Sequence, residues 1–139
     1  MEITLKDRAL YFKGLLLLVC RDGVILDSEK EILMTVGRSF DYETGFCEST
    51  VRDALVNPYL QDEPPVFSNP DVAESFIRDG LRLSRADGVP DEAETAWLKS
   101  VAECNGLAAD WFSQNLSDLS KTGAGGNLYS LEALNLSWK

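Results

Sequence analysis

Histidine is absent from this 139-residue sequence. That removes the usual general base at neutral pH, the usual zinc ligand, and every Ser–His or Cys–His nucleophile. Cysteine is sparse, with Cys20, Cys47 and Cys104 far apart and none in a CxxC pair, so neither a zinc knuckle nor a dithiol redox motif is present. An odd, scattered set of thiols fits a reduced, cytoplasmic compartment, and Cys20 and Cys104, in apolar helical surroundings, read as buried. Positive charge is scarce: 13 Lys and Arg face 23 Asp and Glu, for a net charge of −10. A phosphate-binding surface needs the opposite balance, which argues against nucleic acid and against docking on an anionic membrane by charge. Long apolar runs are missing too. The longest, residues 15–20, falls far short of the roughly 20 residues of a membrane span, so no membrane insertion is expected. Residues 1–8 carry charges throughout, without the order of a signal peptide. The expectation is a soluble chain.

Helical periodicity fills the rest. A hydrophobic fraction of 45% is ordinary for a globular domain. Residues 10–20 are apolar on most sides, as a central helix would be, and Arg21-Asp22-Gly23 stops them. A second helix begins near Asp27 or Ser28; Ser28 with Glu31 has capping-box spacing, and Ile32, Leu33 and Val36 form its apolar face. Cys47, Val51, Ala54 and Leu55 mark a third helix, ending before Asn57-Pro58. Residues 61–69 (QDEPPVFSN) are an extended linker, closed by an Asn69-Pro70 helix start. The fourth helix carries Val72, Ala73, Phe76, Ile77, Gly80, Leu81 and Ser84 on one stripe and stops at Ala86-Asp87-Gly88. Asp91 and Glu94 open a fifth, with Trp97, Leu98 and Val101 inward, and residues 108–119 form a sixth around Trp111, Phe112, Leu116 and Leu119. Core packing is the default for these aromatics. Gly123, Gly125 and Gly126 make a hinge, and residues 128–138 give a possible seventh helix that docks on the body or on a partner. With no sustained β alternation, the fold class is all-α: one domain over residues 1–120, six to seven helices, and a tail over 121–139.

Sliding the sequence by 65 residues superposes two Asp-Gly-Val triplets without a gap, Asp22-Gly23-Val24 on Asp87-Gly88-Val89. Leu16 then meets Leu81, Leu18 meets Leu83, Glu29 meets Glu94, Leu33 meets Leu98 and Val36 meets Val101. The matches fall on apolar stripes and at the turn, so a helix–turn–helix is repeated, about 10–57 and about 69–120. A one-residue shift of the first copy would instead pair Asp27 with Asp91.

The strings LLLLVCRDGVILDSEKEIL and LRLSRADGVPDEAETAWL resemble the TerB-like, tellurite-resistance family over roughly residues 10–119. The resemblance implies an all-helical fold of two similar units packed with pseudo-twofold symmetry, and a link to tellurite resistance and stress response. It also implies a metal-binding cluster of acidic side chains from the two turns: Asp22, Asp87, Glu29 and Glu94, with Asp27 and Asp91 in second rank. Arg21 departs from the family's small residue before Asp-Gly and could pair with Asp22. Oxygen-only ligands would select a hard divalent cation such as Ca²⁺, Mg²⁺ or Mn²⁺. The same carboxylates have a local explanation: Asp in a turn bonds backbone N–H groups, and Glu in a first helical turn favours the macrodipole. An EF-hand does not fit, because Val24, Ile25 and Leu26 occupy the would-be ligand positions. The alternative to a cation-binding domain is a non-catalytic protein-interaction module whose acidic turns are structural and whose C-terminal tail, with Tyr129 and Trp138, binds a partner or a second copy.

Overall fold

The computed structural model describes residues 2–19, 27–56, 64–84, 92–121 and 137–138. Among them, six helices account for the fold: α1 (Leu5–Val19), α2 (Asp27–Ser39), α3 (Thr44–Val56), α4 (Pro70–Ser84), α5 (Glu92–Cys104) and α6 (Ala109–Lys121). Two short strands, β1 (Glu2–Ile3) and β2 (Ser137–Trp138), pair in parallel. The protein is a single all-α domain, and no helix among the described residues is long and apolar enough to cross a membrane.

Every helix of the second half starts and ends 65 residues after its counterpart: α1 maps onto α4, α2 onto α5, α3 onto α6. The caps repeat as well. Thr4 Oγ1 accepts from Asp7 N at 3.1 Å to open α1, and Asn69 Oδ1 accepts from Asp71 N at 2.8 Å to open α4. These side chains satisfy N–H groups that have no partner within the helix. At the other end, α2 and α5 close in the same Schellman geometry. Tyr42 N donates to Gly37 O and Leu107 N to Ala102 O, both at 2.9 Å, across residues with positive φ, Asp41 (65°) and Gly106 (74°). These two C-terminal anchors fix the register. Glu29 does meet Glu94, and the one-residue shift is ruled out.

Within each half the three helices touch one another, and the halves join chiefly through α1 and α4. Leu15, Leu18, Val19, Phe76, Ile77, Leu81 and Leu83 of these two helices are fully buried. At the junction Tyr11 and Phe76, equivalent positions of the repeat, meet edge to face at 5.4 Å. The Tyr11 hydroxyl donates to Asp79 Oδ2 at 2.5 Å, while the far edge of the Phe76 ring lies 2.7 Å from where a side chain on Gly14 would begin. Positions 14 and 79 are themselves equivalents. The contact of 11 with 79 and that of 76 with 14 therefore exchange when the halves exchange, which is the signature of pseudo-twofold packing.

The linker is pinned from both halves. Asn105 at the end of α5 donates from Nδ2 to Pro65 O and accepts from Phe67 N at Oδ1, both at 2.8 Å. Asp7 of α1, only 1% exposed, accepts from Ser68 N at 3.2 Å and from Ser68 Oγ at 2.5 Å.

Four expectations change. The first helix begins at Leu5, five residues earlier than its apolar run, because Thr4 caps it. Ser28 lies inside α2, which already includes Asp27, so it is not the cap. Cys104 is exposed although it continues the stripe of Trp97 and Val101, because it is the final residue of α5, where the packed part of the helix has ended; Cys47 is the buried thiol, and Cys20 lies outside the described residues. A seventh helix reaching residue 138 is contradicted at its end: Ser137–Trp138 is a strand whose backbone pairs with β1, and residues 128–136 lie outside the described residues.

Candidate functional site

Glu29 and Glu94 occupy the first turns of α2 and α5, at equivalent positions, and both are sunk into the protein at 8% and 5% exposure. Their acidic neighbours Asp27, Glu31 and Glu92 are exposed. The apolar faces explain the placement. Glu29 lies three residues before Ile32 and four before Leu33, Glu94 three before Trp97 and four before Leu98, so each carboxylate shares the buried stripe of its helix. Both glutamates make interactions in the folded chain. Asp22, Asp87 and Asp91 lie outside the described residues. Among the described residues, no three His, Cys, Asp or Glu side chains come close enough to hold a metal ion.

Sequence reasoning missed a second buried acidic group. Asp79 is fully buried in α4, where it accepts from Tyr11 Oη at 2.5 Å and pairs with Arg82 Nη1 at 3.1 Å. A carboxylate in such surroundings is tolerable only with charge and hydrogen bonds supplied, and these two residues supply them. The signal was the correlated departure from the repeat, Tyr for Phe at 11 and Asp for Gly at 79, which has meaning only once those positions are known to touch.

The buried Cys47 thiol is pushed up from its ordinary value by burial, with the Arg38 charge pulling the other way. Burial likewise raises the Tyr42 phenol, opposed by Arg8. Both groups are held neutral, so Cys47 is a packing residue with no character of a nucleophile.

The described residues line two crevices. One, about 430 Å³, lies between α5 and α6 and is lined by Glu92, Ala96, Lys99, Phe112 and Leu116 among others. The other, about 290 Å³, runs between α1 and the linker. No family model, curated protein or solved structure matches this chain.

Proposed function

We propose that the chain is a TerB-like domain that binds a divalent cation, Ca²⁺, Mg²⁺ or Mn²⁺, at its two Asp-Gly turns, with Asp22 and Glu29 contributed by one repeat and Asp87 and Glu94 by the other. One observation supports this reading above others: the matched burial of Glu29 and Glu94 beside exposed acidic neighbours. A carboxylate can serve the helix macrodipole without being buried, and burying it adds a desolvation cost that must be met by other interactions. Both glutamates already make interactions in the folded chain, and a shared cation would stabilise several carboxylates at once in addition. The link to tellurite resistance and stress response rests on the sequence resemblance alone.

The alternative, an interaction module working through its tail, is weakened by the pairing of Ser137–Trp138 with the chain's own Glu2–Ile3. The cation reading is tested by thermal unfolding with each ion. At a concentration about 100 times Kd, binding adds about 2.7 kcal/mol and raises Tm by several degrees. Asp87→Asn or Glu94→Gln abolishes the rise, and Glu31→Gln leaves it. A Tm indifferent to all three ions overturns the proposal.

A further inference from the structure

We propose that the crevice between α1 and the linker is a binding site for a small anionic amphiphile, a carboxylate carrying a short aliphatic or aromatic body. One wall is the α1 face Lys6, Leu10, Lys13, Gly14 and Leu17; the other is Pro64, Pro65 and Val66. The second wall is preorganised. Its two prolines have fixed φ, and Asn105 holds the Pro65 carbonyl and the Phe67 amide. Apart from the two lysines its lining side chains are apolar, set among polar backbone groups, and Val66 leaves an apolar side chain 60% exposed at the rim.

The charges argue for an anion. In a chain of net charge −10, two cations stand seven residues apart on one face of α1, about 10.5 Å along the axis. Side chains of lysine length can converge on a single head group above Leu10 across that span. Neither lysine makes a hydrogen bond or ion pair with any described residue. The other repeat shows what satisfied cations look like. There Lys13 is replaced by Arg78, which bonds Asn115 at 3.0 Å, lies 3.9 Å from Glu74 and stacks over Trp111; Leu17 is replaced by Arg82, paired with Asp79. Asp71 and Ser75 stand in place of Lys6 and Leu10. The crevice and its lysines thus belong to one half only and are not a by-product of the duplication.

The test uses the full chain and octanoate, followed by calorimetry and by backbone amide resonances. Saturable binding is expected, with shifts at Lys13, Gly14, Leu17 and Val66. Lys6→Glu/Lys13→Glu, at two exposed positions, weakens it about tenfold or more while leaving the helical spectrum intact. Acetate, which has the head alone, and octyltrimethylammonium, which has the body with the opposite charge, do not bind. The proposal is overturned by absence of octanoate binding up to about 10 mM, by binding that the double variant retains, or by equal binding of the cationic amphiphile. Capture of a labelled Glu-Leu-Val-Glu peptide without octanoate binding also overturns it, and makes the crevice a peptide groove.

Discussion

In the first repeat α3 lies against α2 at Gly37, where the Cys47 sulfur fills the space a side chain would need. In the second repeat the same two positions hold Ala102 and Phe112, and the crevice of about 430 Å³ opens between α5 and α6. The ends of the helices differ in the same spirit. Arg8 donates to the Phe40 carbonyl at 2.7 Å to finish α2, whereas at the equivalent position Asn105 finishes α5 by bonding Val101 O and, in addition, the linker. Identical helix lengths and equivalent cap positions thus leave room for two kinds of interior. The repeat sets where helices begin and end; side-chain size at a few facing positions sets how tightly they close, and so where a cavity can form.

The largest effect is expected at the junction the halves share. Phe76→Ala empties a fully buried site and should cost about 3–5 kcal/mol in urea unfolding. Tyr11→Phe, which removes one bond from buried Asp79, should cost about 1–3 kcal/mol. Equal losses would mean that the ring contact contributes little and the pseudo-twofold junction is polar in origin. The next effect separates the repeats. Gly37→Ala forces a Cβ onto Cys47 and should destabilise by about 1–3 kcal/mol, while Ala102→Gly, its mirror change, should cost no more than the ~0.5–1 kcal/mol of glycine in a helix. Matching values would show the two interfaces to be equally tight.

The smallest effect is alkaline. Cys47 and Tyr42 have folded pKa values raised above their unfolded ones, so their contribution is fully present below the unfolded values, about 9.0 and 10.0, and is lost as pH rises through the folded values. Their counterparts, Phe112 and Leu107, do not titrate. Hydrogen exchange between pH 8 and 10.5, corrected for intrinsic rates, should therefore show α2 and α3 loosening before α5 and α6. Simultaneous loosening would mean that the halves unfold as one unit.

Much of this architecture was written in local signals. Asn69-Pro70, the two Asp-Gly triplets and the stripe through Val72, Phe76, Ile77 and Leu81 each act over a few residues, and a gapless offset multiplies them. Thr4 with Asp7 was an equally local start signal, obscured by the charged residues between it and the apolar run. What escaped depends on partners far apart in sequence. Nothing near Glu2 announces Ser137, and a two-residue strand has no periodicity to read. Asp79 looked like a polar residue beside a stripe, yet α4 is buried around most of its circumference because α1, α5 and α6 all pack on it. Of the candidate site, the equivalence of Glu29 and Glu94 followed from the 65-residue offset, while their burial emerged only from the packing of α2 and α5. The burial of Asp7 against Ser68 was not legible either, since it depends on where the linker returns.

The pairing of Glu2 with Ser137 sets two segments far apart in sequence on neighbouring strands, about 4.8 Å apart. A short bridge could join them, and a new opening between the repeats would then yield a circular permutant in which the second repeat is synthesised first. Because each half has its own caps and its own trio of helices, the order of synthesis and the final architecture become separable, and the permutant would show which half templates the other during folding.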